Sequence, residues 1–139
     1  MTYSTDSSNG TYKDEDYRDT KAGGWIEAVL NNSQPDAQNL SIMARYTTAD
    51  AGRKCTISVN GEVLAEYTVP ASVRGANDNG FYNLEIPLGE KAFGSDGKAK
   101  GKFVVRFAAD KGTLMPGLYY LRLMRDYVKE DYSSKLNAA

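Results

Sequence analysis

The chain has 139 residues, 41% of them hydrophobic and 25% charged, which gives one domain with a core large enough to need no disulfide or metal staple. Its 17 basic and 18 acidic residues leave a formal charge of -1, so no overall field selects nucleic acid or an anionic membrane. Histidine is absent and cysteine occurs once, which removes Ser-His-Asp and Cys-His catalysis, ordinary zinc coordination and any internal disulfide.

Residues 1–22 are polar and tyrosine-bearing, with no helical or strand period, and read as a leader that is extended on the domain or partly disordered. Met1–Asp6 is too polar for a signal peptide, so the chain reads as cytosolic or as a domain excised from a longer exported protein. No apolar run is long enough to span a membrane as a helix. The sandwich proper is expected over residues 23–125. Gly23-Gly24 opens a strand at Trp25–Leu30, closed by Asn31–Pro35. Asn39–Thr47 alternates, with Leu40, Ile42, Ala44 and Tyr46 on one face, and reads as a half-buried strand. Arg53–Tyr67 is a hairpin about Asn60-Gly61, the pair suited to positive φ at both turn positions. A two-residue turn pairs Val59 with Glu62 and Ile57 with Leu64. Continued unbroken, that register would turn Tyr67 and Val69 outward, so a bulge is expected near Ala65-Glu66.

Phe81–Leu88 is a further strand, with Pro87 suited to an edge or an end. Glu90–Gly101 is a loop with room for one helical turn. In Gly101–Ala109, Phe103, Val105 and Phe107 face inward while Lys102, Val104 and Arg106 face water. Leu118–Arg125 is the last strand, with Tyr119, Leu121 and Leu123 inward, and residues 126–139 form a polar tail. Strands separated by turn signals, without amphipathic helices, define an all-β fold: a two-sheet antiparallel β-sandwich or jelly roll.

Few residues suggest chemistry. Asp14, Asp16 and Asp19 are the densest acidic group and a candidate calcium site, although their spacing matches no EF-hand loop and Lys13 and Arg18 offset the charge. Glu27, Glu62, Glu66 and Glu85 sit on strands with nothing to pair them as a glycosidase couple. Cys55 falls on an inward face and behaves as a small apolar residue. Lys98, Lys100, Lys102 and Arg106 recur at even positions and mark the solvent side of a strand. The ten tyrosines and one tryptophan are more informative, since such rings stack on the C–H face of a sugar and offer a polar tip to its hydroxyls. Tyr82 and Tyr120, read as outward, with Arg106 and Arg122, are the candidate carbohydrate contacts. Trp25 reads as core or edge packing.

Six ordered blocks carry a family resemblance: Gly23–Ile26, Leu40–Tyr46, Ile57–Gly61, Phe81–Pro87, Gly101–Ala109 and Gly117–Arg122. Together with Tyr17-Arg18-Asp19 before them, they resemble an accessory domain that follows the catalytic region of bacterial enzymes similar to β-L-arabinofuranosidases, many from gut Bacteroides. The domain's own function is unknown. Cys55 stands where that domain has a bulkier residue, and Asn60 where it commonly has aspartate. The resemblance implies a galactose-binding-like sandwich, secreted, periplasmic or at the cell surface, within a polysaccharide-degrading glycoside hydrolase. It implies no catalysis here, because the catalytic carboxylate and metal-ligand cysteines of such enzymes lie in the preceding barrel. The implied partners are the parent enzyme's catalytic domain, which this domain would brace, and a weakly bound plant-type oligosaccharide. A carbohydrate-binding module proper and an adhesion or protein-interaction sandwich are the alternatives.

Overall fold

The computed structural model describes residues 1–110 and 112–125; the polar tail expected over residues 126–139 lies outside them. Ten strands are formed among the described residues: β1 (Thr2–Tyr3), β2 (Ser7–Tyr12), β3 (Glu15–Thr20), β4 (Trp25–Asn31), β5 (Ser41–Thr47), β6 (Lys54–Val59), β7 (Glu62–Thr68), β8 (Phe81–Pro87), β9 (Lys102–Ala109) and β10 (Tyr120–Met124). A five-stranded sheet in the order β1-β4-β9-β6-β7 faces a three-stranded sheet in the order β10-β5-β8, and β2 and β3 form a separate hairpin. All strand pairings are antiparallel. Helical structure among the described residues is limited to 3-10 turns at Thr48–Asp50 and Gly89–Ala92.

The core lies between the two sheets. Ile26, Ile57, Phe103, Val105 and Phe107 come from the first, and Ile42, Ala44, Tyr46, Leu84 and Ile86 from the second. Each fully buried Phe or Ile stabilises the fold by about 1.5–3 kcal/mol. The alternation of Gly101–Ala109 therefore resolves as expected, with Phe103, Val105 and Phe107 fully enclosed. Pro87 ends β8, an edge strand, where its missing N–H costs no ladder bond.

The Asn60-Gly61 turn has positive φ at both residues (50° and 85°), as a type I′ turn requires. Val59 pairs with Glu62, but Ile57 pairs with Ala65 and not with Leu64. The bulge thus falls at Leu64, slightly earlier than expected, and it returns Tyr67 and Val69 to the core. β5 departs from the half-buried expectation, since Ser41, Met43 and Thr47 are buried as well as its inward set.

The first twenty residues hold more structure than their composition suggests. β1 adds to the edge of the larger sheet through Thr2↔Glu27 and Tyr3↔Ile26. β2 and β3 turn at Lys13-Asp14, both at positive φ (49° and 66°). This is the geometry of a tight hairpin turn without the glycine that would announce it, on strands whose residues are mostly polar. Reciprocal backbone bonds between Arg18 and Leu118 (3.1 and 2.9 Å) tie the hairpin to the segment leading into β10.

Candidate functional site

The register of the hairpin places Tyr12, Glu15, Tyr17 and Asp19 on one face, the face that packs on the body. Glu15 accepts from Arg45 Nε at 2.7 Å and from Arg45 Nη2 at 2.9 Å, a bidentate pair over the outer face of β5. The hydrogen bonds from Arg45 hold the Glu15 carboxyl below its ordinary range, against a smaller opposing effect of burial. Arg45 also donates to Asn83 Oδ1 at 3.0 Å and lies over the Phe81 ring.

Beside this pair the aromatic rings form a chain. Tyr12 meets Phe81 at 6.0 Å between centroids, Phe81 meets Tyr119 edge-on at 4.9 Å, and Tyr119 meets Tyr17 at 5.3 Å. Tyr17 fits because two glycines leave room for it. A Cβ on Gly10, its cross-strand partner, would stand 2.6 Å from Tyr17 Oη, and one on Gly117 would stand 3.2 Å from Tyr17 Cδ1. Tyr119, expected inward, precedes β10 and turns to this ring chain instead.

Tyr12, Tyr17 and Tyr119 line a recess of about 250 Å³ together with Asp19, Asp50 and Arg53. Arg53 Nη1 lies 3.2 Å from Asp50 and 3.8 Å from Asp19. Asp50 Oδ2 also accepts from the Gly117 backbone N–H at 2.9 Å. Burial raises the Asp19 carboxyl above its ordinary range, with Arg53 opposing and Asp50 adding to the shift. Burial likewise pushes the Tyr119 hydroxyl up, with the Asp50 charge adding to it. Arg53 thus stands between two carboxylates, closer to Asp50 than to Asp19.

The four residues singled out from sequence do not converge. Tyr82 is buried at 3% exposure, which corrects the outward assignment. It alternates in phase with Leu84 and Ile86, and its hydroxyl shares a 2.7 Å hydrogen bond with that of Tyr67. Arg106 faces out from the other sheet, bonded to Glu27 Oε2 at 2.9 Å and lying over the Trp25 ring at 4.2 Å. Tyr120 and Arg122 are exposed neighbours on one face of β10, where Tyr120 pairs with Arg45 and Arg122 with Met43.

The candidate calcium ligands are also dispersed. Asp14 is in the hairpin turn, Asp16 accepts from Thr11 at 2.9 Å, and Asp19 points from the opposite face of β3 toward Arg53. Among the described residues no three His, Cys, Asp or Glu side chains are grouped so as to hold a metal. Cys55 is buried beside Tyr46, and burial pushes its thiol up to about 12. The residues that build the recess were missed, apart from Asp19, because Tyr12, Tyr17 and Tyr119 gain meaning only once the hairpin folds back. In the sequence, Tyr17-Arg18-Asp19 marks only the approach to the sandwich.

The fold is shared with solved carbohydrate-binding modules. A family 35 module from Clostridium thermocellum superposes with a TM-score of 0.58 at 19% identity, covering 86% of this chain and 88% of that one. The second family 6 module of Cellvibrio mixtus lichenase 5A, solved with cellotriose, gives 0.58 at 16% identity over 91% and 92%. A family 35 module from Paenibacillus barcinonensis gives 0.59 at 19% over 88% and 91%. None of the curated proteins matches the chain. Residues 2–124 match the model of DUF6805, a family of unknown function, and the chain belongs to that family. No helix among the described residues is long and apolar enough to cross a membrane.

Proposed function

We propose that this chain is a non-catalytic carbohydrate-recognition domain, an accessory part of a secreted or cell-surface polysaccharide-degrading glycoside hydrolase. The observation that carries this reading is the recess in which Tyr12, Tyr17 and Tyr119 surround the Asp19–Arg53–Asp50 cluster. Aromatic rings supply apolar faces for the C–H side of a sugar, and a guanidinium held between carboxylates supplies fixed donors and acceptors for its hydroxyls. The likeness in fold to carbohydrate-binding modules supports it, and so does the resemblance of the ordered blocks from Gly23 to Arg122 to a glycosidase accessory domain.

A bracing role toward the catalytic domain draws on a different surface. Val29 and Val63 stand 47% and 58% exposed on the larger sheet, away from the recess, so both roles fit one molecule. Calorimetric titration with arabino-, xylo- and cello-oligosaccharides, read together with the tyrosine ring signals by NMR, tests the binding role. The expected result is a shift of the Tyr17 and Tyr119 signals while Trp25, on the outer face of the other sheet, stays still. A full panel that moves no tyrosine signal overturns the proposal.

A further inference from the structure

The recess at Tyr17 and Tyr119 is the first of three that adjoin through shared lining residues. A second recess of about 530 Å³ shares Tyr12 and Ala49 with it and continues past Lys13 along the Ser72–Gly80 loop. A third, of about 380 Å³, shares Asn77 with the second and continues over Phe81 to Asn83 and Glu85 on the outer face of β8. Tyr119 meets Phe81 edge-on and Phe81 meets Tyr12 at a tilt, so the rings of the first two recesses touch Phe81, which lines the third. The loop that floors the middle section is fixed from within. Asn77 Oδ1 accepts from the backbone N–H groups of Asn79 and Phe81, both at 2.9 Å, and Thr47 Oγ1 donates to the Asn79 carbonyl at 3.2 Å.

Resting on the carbohydrate reading above, we propose that the ligand is an extended oligosaccharide of three or more units lying along all three recesses, not a single terminal sugar. The geometry gives the sections different work. Tyr17, Tyr119 and Arg53 anchor one unit where rings and charged groups are densest. The exposed Asn79 side chain in the middle section, and the Asn83 NH2 group in the far section (its Oδ1 taken by Arg45), offer hydrogen bonds to the hydroxyls of later units. Amides can meet a sugar hydroxyl in either hydrogen-bonding sense, which suits successive units presented in different orientations.

Chain-length dependence tests this. Arabino-, xylo- and cello-oligosaccharides from monosaccharide to hexasaccharide are titrated into the full chain by calorimetry. Affinity that climbs from the monosaccharide to at least the trisaccharide and then levels is the expected result. Asn79→Ala and Asn83→Asp, the second keeping an oxygen for Arg45, should each weaken tetrasaccharide binding by about fivefold, the factor one hydrogen bond contributes, and leave disaccharide binding unchanged. Equal affinity for mono- and tetrasaccharide, or loss in these variants that is the same at every length, overturns the extended groove and leaves the anchor recess intact. Silence across all three series, with Tyr17 and Tyr119 unmoved, overturns the underlying carbohydrate reading as well.

Discussion

Gly10→Ala places one methyl group against the ring on which the proposed site depends. Gly10 lies in β2 with φ outside the left-handed region, so alanine strains no backbone there. It recovers about 0.5–1 kcal/mol of the strand-interior cost of glycine. The new Cβ, however, would lie 2.6 Å from Tyr17 Oη, 2.8 Å from Cζ and 3.0 Å from Cε2. Carbon atoms settle near 3.5–4.0 Å, so the ring edge must move by about 1 Å from its place beside Tyr119. Overpacking of this kind costs about 1–3 kcal/mol, leaving a net loss near 1 kcal/mol and a drop in Tm of about 4 °C. Binding should suffer by a similar amount, because a displaced ring forfeits a stacking contribution of about 1 kcal/mol and weakens affinity about fivefold. Scanning calorimetry, tyrosine ring NMR and oligosaccharide titration read the three effects. Gly101→Ala is the matched control, since its Cβ meets only the Asn32 carbonyl at an ordinary 3.6 Å. Tyr17 and Tyr119 signals that coincide with wild type in Gly10→Ala, with unchanged titration, would refute the close approach and the site built on it.

Two further perturbations test what holds the hairpin and the core. Glu15→Gln removes the carboxylate facing Arg45 and should lower stability by about 1 kcal/mol at neutral pH. The folded Glu15 carboxyl titrates below its ordinary value of 4.5, so its contribution is complete above that value and is lost as pH falls through the folded value. The Tm difference between wild type and Glu15→Gln should therefore shrink below about pH 4.5 and vanish in stronger acid; a difference independent of pH would contradict the ion pair. Tyr82→Phe leaves the Tyr67 hydroxyl without its 2.7 Å partner inside the core and should cost about 1–3 kcal/mol by chemical denaturation. Tyr67→Phe combined with Tyr82→Phe should be less damaging than the sum of the single variants, and strict additivity would argue against a shared bond.

The sandwich was legible where side-chain alternation and turn chemistry agree. Phe103, Val105 and Phe107 declare a buried face by period alone, and Asn60-Gly61 declares its turn because few residues accept positive φ in succession. The bulge was legible as a conflict, since an unbroken register would have turned Tyr67 and Val69 to water. Tyr82 went astray because its chemistry, a ring with a polar tip, outweighed its phase with Leu84 and Ile86, although a buried tyrosine needs only one partner for its hydroxyl. β2 and β3 were invisible for two physical reasons: their turn uses Lys13-Asp14 at positive φ, and their packed face is built from Tyr12, Glu15, Tyr17 and Asp19, which show no apolar period. A strand that docks through ion pairs and ring edges leaves no hydrophobic alternation to read.

That same mode of docking shapes what the recess can do. The hairpin contributes Tyr12, Tyr17 and Asp19 to the recess, and the body contributes Asp50, Arg53 and Tyr119. Neither half is a site alone. The contacts joining them include the Glu15–Arg45 pair, the Asp19–Arg53 approach, two ring contacts, the two backbone bonds of Arg18 with Leu118 and the bond from Met115 N–H to the Thr20 carbonyl. Partly exposed contacts of this kind contribute about 1 kcal/mol each, whereas the sheets are held by residues with no exposure at all. Local opening should therefore begin at the hairpin, well before the sandwich unfolds. A ligand touching both Tyr17 and Tyr119 would close that opening, so occupancy should slow amide exchange across Ser7–Thr20 more than across Lys102–Ala109, the strand already buried at the centre of the larger sheet.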